Sequence, residues 1–237
     1  VLLARNLVLF LASWEVMALS AFFLVTSDRS SREARDAGRL YLFATHVSTL
    51  VLFAFFALFR SVSGSTELVP LPAGVAASDA GTALFVLALL GFGLKAGLLP
   101  LHVWLPPAHA AAPAHVSALM SGVLIKTGIY GIVRFTSLVP DPPASWGDTL
   151  LLLGAASAVL GVAFALGQHD LKRLLAWHSV ENIGIIVLGL GVGLGGRAAG
   201  RPEWALLGFA GGLFHVVNHG LFKPLLFLGA GAVIHGA

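Results

Sequence analysis

Residues 82–133 read TALFVLALLGFGLKAGLLPLHVWLPPAHAAAPAHVSALMSGVLIKTGIYGIV. Two apolar runs, each carrying one lysine, flank a proline-rich stretch. Apolar runs of this length without strand-like alternation are read as membrane-spanning α-helices, because in lipid the backbone must satisfy its own hydrogen bonds. Lys95 and Lys126 therefore stand at membrane depth, where an ionisable side chain costs about 2.5–3.5 kcal/mol on insertion scales. Ionisable groups so placed mark ion or proton paths. Between them, Pro100, Pro106, Pro107 and Pro113 are incompatible with one regular helix. The expectation is that helix 80–99 breaks near Pro100 and a short second piece re-enters the bilayer, as broken helices do where they line a protein or water cavity. The alternative is an ordinary proline-rich surface loop.

The rest of the chain has the same character. Of 237 residues, 57% are hydrophobic and 11% charged, with mean hydropathy +0.91, against about 25% charged in a soluble domain. The fold class is all-α and polytopic, with seven apolar segments at about 3–26, 40–60, 80–99, 115–137, 149–167, 174–194 and 204–234. Trp146 and Trp204 stand near span starts, as interfacial aromatics do. The linker 27–39 carries Arg29, Arg32, Arg35 and Arg39, and the loop 168–173 carries Lys172 and Arg173. If all segments cross, both lie on one side, and the positive-inside rule makes that side cytoplasmic; Arg60, Arg197 and Arg201 lie opposite. Net charge is +3 with no dense basic run, so nucleic acid is not an expected partner. Cysteine is absent, which excludes disulfides, thiolate metal sites and cysteine-ligated clusters within this chain. No cofactor and no metal site is expected. A start on Val1 inside an apolar run, with no signal-peptide pattern, reads as an internal piece of a longer protein.

The remaining titratable groups cluster. Glu15 lies mid-span in LASWEVMALSAFF, with Lys95 or Lys126 as its candidate partner on another helix. Such a pair either switches, releasing a proton when separated, or is a static buried ion pair that specifies packing. His215, His219 and Lys223 recur at i, i+4 and i+8, on one helix face. Imidazoles in a row suit proton hopping. The rival readings are a metal pair, which lacks the glutamate of the metalloprotease motif and a nearby third ligand, and histidines hydrogen-bonded within a bundle. His178 and Glu181, beside Ser179 and Asn182, form either a proton entrance or an anchor at a span start. His46, with Ser48 and Thr49, reads as a helix–helix hydrogen bond, and His102, His109 and His115 read as groups at the water interface. GFG (91–93) and FAGGLF (209–214) are close-packing sites, and GVGLGG (191–196) lies in a span, which argues against a phosphate loop.

Four stretches carry a resemblance. LKAGLLPLHVWLPPAHAAAPAHVSALMSGVLIKTGIYGIVRF (94–135), SWEVMALSAFFLV (13–25), HDLKRLLAWHSVENIGIIVLGLG (169–191) and FHVVNHGLFKPLLFLGAGAV (214–233) resemble the antiporter-like proton-conducting membrane subunits. That family is shared by respiratory complex I, multisubunit sodium/proton antiporters and membrane-bound hydrogenases. AWHSVENIGII is more similar to the hydrogenase-4 and formate hydrogenlyase membrane subunit than to complex I subunits.

The resemblance implies about fourteen helices in two inverted repeats, of which this chain holds the fifth to the eleventh, with first-repeat helices over about 1–137 and second-repeat helices over about 149–237. It implies that Glu15 modulates Lys95, the central lysine of the broken helix, that Lys126 connects the half-channels, and that His215 and His219 belong to a histidine relay. The family's twelfth helix, with its exit residue, falls outside these residues, so this stretch alone is not expected to conduct. The function implied is proton translocation, with Glu15, Lys95, Lys126, His215, His219 and Lys223 as transfer groups and His178 and Glu181 at an entrance. The setting is a redox-driven complex in a prokaryotic cytoplasmic membrane, in which the chain, having no redox centre of its own, works with other membrane subunits, a peripheral redox arm and lipid. The alternatives are a subunit of a multisubunit sodium/proton antiporter and a non-conducting membrane scaffold.

Overall fold

Seven helices are long and apolar enough to cross a membrane in the computed structural model, which describes residues 1–28 and 31–236. In chain order the elements are α1 (Leu7–Val25), α2 (Arg32–Ser63), α3 (Asp79–Ala96), the short α4 (Leu105–Ala111), α5 (Ala114–Leu119), α6 (Ile125–Ser137), α7 (Ala144–Leu166), α8 (Leu171–Ala198) and α9 (Pro202–Gly236). A π-helical turn, Met120–Leu124, fuses α5 and α6 into one span, Ala114–Ser137. Among the described residues the only β pairing is an isolated bridge, Asn6 with Glu67. With most large apolar side chains of α9 exposed, among them Leu206, Leu207, Phe214, Leu221 and Leu225, this is an integral membrane protein: such a face is tolerable in hydrocarbon and not in water.

Side-chain caps set the helix starts. Asn6 accepts from the Val8 and Leu9 amides, Ser31 from Ala34, Ser78 from Gly81 and Asp170 from Arg173, each satisfying amides that a helix leaves unpaired. These caps correct two boundaries. Arg32, Arg35 and Arg39 are in the opening turns of α2 and not in a linker, and Lys172 and Arg173 are in the first turn of α8. Hydropathy misses polar opening turns that caps define. Arg29 lies outside the described residues. The starts of α2 and α8 do share one end of the molecule: Glu33, Asp36, Pro107, Ala110 and Arg173 line one shallow cavity of about 280 Å³.

The expected break is present, three residues earlier than the first proline. α3 stops at Ala96 because Gly97 takes a left-handed conformation (φ 75°), and the Gly97 and Leu98 amides turn back to the Leu94 and Gly93 carbonyls. That is a glycine C-cap; a side chain at Gly97 would be strained in this conformation. Pro106 and Pro107 then open α4, where a missing N–H costs little. The Leu99–Pro100 bond is cis.

Aromatic packing joins α1, α2, α3 and α6. Phe10 meets Phe56 and Phe92, Trp14 meets Phe92, and Phe55 meets Phe135 at ring separations of 5.2–6.0 Å. α7, α8 and α9 instead approach through glycine. A Cβ on Gly189 of α8 would come within 2.8 Å of the Gly212 backbone in α9, so the two helices touch nearly backbone to backbone. Gly191, Gly193 and Gly196 belong to the same close packing, which explains GVGLGG.

Candidate functional site

The break brings Lys95 inward. It sits in the last turn of α3, fully buried, and its Nζ donates to the Tyr41 hydroxyl of α2 at 3.0 Å. The Trp14 and Tyr41 rings lie 5.9 and 5.3 Å from the ammonium, close enough for cation–π attraction. The surroundings are equally determined. Trp104 Nε1 donates to the Leu94 carbonyl, and Ser157 of α7 accepts from the Leu99 amide. The Leu94 carbonyl and the Leu99 amide, both at the break, therefore have partners, as membrane depth demands.

Glu15 is on α1, and the structure gives it partners other than a lysine. Its Oε2 accepts from Thr49 Oγ1 at 2.7 Å, and its Oε1 lies 3.3 Å from His46 Nε2. Among the described residues neither Lys95 nor Lys126 forms an ion pair with it, so the expected direct Glu15–lysine pair is not made in this conformation. Glu15 and Lys95 remain within electrostatic reach of each other. His46, read as a helix–helix hydrogen bond, does bridge α1 and α2, but its partner is the carboxylate itself.

Lys126 follows the π turn. Its Nζ donates to the Ser121 carbonyl, five residues back. A π turn puts a carbonyl out of register with the helical ladder, and such turns are frequent at functional sites. Ser121 Oγ and Ser179 Oγ of α8 are 2.8 Å apart, and Ser179 also donates to the Leu175 carbonyl at 3.1 Å. Since Ser179 has one hydroxyl proton, Ser121 is the donor between them.

α8 and α9 carry the rest. His178 and Glu181 are hydrogen-bonded, half-buried partners one turn apart. Asn182 donates to the His178 carbonyl at 2.6 Å, which turns its Oδ1 towards α9, where His215 Nε2 donates to it at 2.8 Å. The amide thereby fixes the His215 tautomer, Nε2 protonated. The His215 and His219 rings are 6.4 Å apart. His219 and Lys223 are both buried on the same face of α9 as Phe227 and Ala230, as the i, i+4, i+8 spacing requires. Lys126, Lys223, His215 and His109 are all within electrostatic reach of His219, and Glu181 is within reach of Lys223.

Of the sequence-predicted residues, Lys126, His215, His219, Lys223, His178 and Glu181 thus share one neighbourhood, while Glu15 and Lys95 form a second one with α2. Two residues escape a reading of the sequence. His109, expected at the water interface, is fully buried in α4, stacked on Phe227 at 4.8 Å and 14°; its apolar neighbours in the local sequence give no sign of it. His115 is exposed and His102 half-buried against Trp177, nearer to expectation. Tyr41 has a readable signal: Tyr41, Thr45, Ser48 and Thr49 repeat with helical spacing and are all buried, a polar stripe facing α1 and α3.

Comparison with known proteins agrees with this architecture. Over 236 residues the chain is 45% identical to hydrogenase-4 component B of Escherichia coli, covering 98% of this chain and 35% of that protein. It is 42% identical to formate hydrogenlyase subunit 3 of the same organism over 231 residues, covering 98% and 37% respectively. The chain therefore spans about a third of the length of these curated relatives. A chain of the Mrp complex from Dietzia sp. superposes with a TM-score of 0.79 at 27% identity, over 97% of this chain and 41% of that one. The broken α3–α4 segment, its buried lysine and the titratable face of α9 thus sit in a recognised frame: with residues 4–237 matching its signature, the chain belongs to the NADH:quinone oxidoreductase/Mrp antiporter transmembrane family.

Proposed function

We propose that this chain forms the proton-conducting centre of a membrane subunit in a redox-driven complex of the hydrogenase-4 or formate hydrogenlyase kind, in a prokaryotic cytoplasmic membrane. The observation that carries the reading is the pair of buried histidines, His109 and His219, beside Lys126 and Lys223. All four ring nitrogens of the two histidines are buried and lack a hydrogen-bond partner among the described residues. Leaving a buried polar group unpaired costs about 1–3 kcal/mol, so side chains that only fix packing would be satisfied or apolar. Imidazoles and lysines gathered in one buried cluster are the groups that proton transfer through a membrane uses.

In this reading Glu15 sets the field at Lys95, Lys126 receives the proton, and His219 passes it to Lys223, with His215 held in one tautomer by Asn182. His178 and Glu181 supply an entrance. Other membrane subunits and a peripheral redox arm are the partners, and electron transfer in that arm drives the change in field; the names of the two Escherichia coli relatives support this setting.

The test is Lys95→Ala in the complete protein within its complex, followed by proton uptake into membrane vesicles, with assembly checked on a native gel. Lost uptake with normal assembly is the expected result. Unchanged uptake refutes the reading, and lost assembly favours a scaffold. A second reading, sodium/proton exchange without a redox partner, has the likeness to the Mrp complex in its favour; it predicts transport that depends on sodium and continues with electron transfer blocked.

A further inference from the structure

We infer that Glu15 and His46 together form a proton-binding pair, and that the proton they share sets the charge facing Lys95. The inference rests on the proton-conducting reading above and adds to it a residue, His46, and a bound-proton site.

Hydrogen-bond geometry locates the proton. His46 Nδ1 lies 2.9 Å from the Leu42 carbonyl. A carbonyl only accepts, so Nδ1 bears a hydrogen. The other ring nitrogen, Nε2, stands 3.3 Å from Glu15 Oε1. With a neutral ring and an ionised carboxylate these two atoms would oppose lone pair to lone pair. One proton, on either atom, turns the contact attractive.

The second carboxylate oxygen is consistent with this. Thr49 Oγ1 has one hydrogen and two acceptors within reach, Glu15 Oε2 at 2.7 Å and the Thr45 carbonyl at 3.1 Å. With the shared proton between Nε2 and Oε1, Oε2 bears none and accepts the Thr49 hydrogen at 2.7 Å.

Passage of the proton from Nε2 to the carboxyl turns imidazolium and carboxylate into imidazole and carboxylic acid, leaving the pair neutral overall. Departure of the proton leaves the pair with one negative charge. The groups that feel the difference are Lys95 of α3 and Tyr41 of α2, hydrogen-bonded to each other at 3.0 Å and both within electrostatic reach of Glu15. The histidine of α4, His109, is turned to Phe227. The pair, with His46 half exposed, lines an open cavity of about 390 Å³ between α1 and α2 together with Val8, Leu11, Leu50 and Phe53. Its apolar walls weaken solvent screening, so a single charge carries further than in water.

The experiment uses the complete complex in vesicles. Proton uptake is measured from about pH 5 to 8, the range in which imidazole titrates, for the wild type, His46→Gln and Lys95→Ala. Infrared difference spectra follow the protonated carboxyl of Glu15, assigned by its loss in Glu15→Gln. Glutamine keeps a polar group beside Glu15 but takes up no proton. The expected result is that H46Q loses a limb of the wild-type pH profile and shifts the Glu15 carboxyl band. A profile and band indistinguishable from wild type overturn the inference, while K95A separately reports on the conduction reading. If H46Q does not assemble, the unsubstituted complex decides: carboxyl and imidazole bands that titrate together support the pair, and a carboxyl that titrates alone overturns it.

Discussion

Replacing Gly189 by alanine tests whether the α8–α9 contact, and not merely the residues on it, holds the histidine helix in place. An ideal Cβ at Gly189 lies 2.8 Å from the Cα and N of Gly212, whereas ordinary contact begins at 3.4 Å, so α9 must retreat by about 0.6 Å. Gly212 is one turn from His215, whose bond to Asn182 spans 2.8 Å. The same retreat lengthens that bond to about 3.4 Å, past the usual limit of about 3.2 Å for N–H···O. Overpacking costs about 1–3 kcal/mol and the lost hydrogen bond about 0.5–1.5 kcal/mol. Gly195→Ala on the same helix is the control, because a Cβ there meets nothing within 4 Å among the described residues. Both variants gain the same helix propensity, about 1 kcal/mol, so the difference between them is about 1.5–4.5 kcal/mol. The assay compares the two variants by the temperature at which the solubilised complex loses its native-gel band, and by proton uptake in vesicles. G189A should melt lower and transport more slowly than G195A. Equal melting and equal transport would refute the claim that backbone-to-backbone packing positions His215.

Two further changes probe single contacts. Tyr41→Phe removes the hydroxyl that accepts from Lys95; a hydrogen bond to a charged group is worth about 1.5–3 kcal/mol, so proton uptake should change by about tenfold to a hundredfold with assembly intact, and an unaltered rate would show that Tyr41 does not hold the lysine. Arg197→Gln removes a guanidinium that donates to the Thr136, Val139 and Pro140 carbonyls at the end of α6; thermal stability should fall by about 1–3 kcal/mol while the pH profile of transport keeps its shape, and a shifted profile would place Arg197 in the conduction path.

Much of the chain is legible in the residues alone. Length and hydropathy specify seven spans because hydrocarbon leaves an isolated apolar segment no choice but helix. The two lysines stand out because their cost in lipid is so large. The His215, His219 and Lys223 face follows from helical periodicity alone. Less legible are features set by partners far away in sequence. Charge matches Glu15 to a lysine, yet its contacts are His46 and Thr49, since which side chains meet depends on how α1 and α2 rotate against each other. Proline content puts the break near Pro100 but does not say which residue makes it: Gly97 ends the helix, because a left-handed residue stops a helix at its own position.

The sequence by itself therefore determines that this is a bundle of membrane helices with costly ionisable groups at its centre; composition and period are local properties, read along one stretch of chain. The tertiary structure alone decided that these groups fall into two neighbourhoods, one around Lys95 with Glu15, Tyr41 and His46, the other around Lys126 with His109, His219 and Lys223. The physical reason is that a buried polar atom is defined by what other helices bring within about 3 Å of it. Asn182 finding His215 and Ser121 finding Ser179 are products of helix packing, and packing here turns on glycines whose purpose is invisible until the opposing backbone is seen.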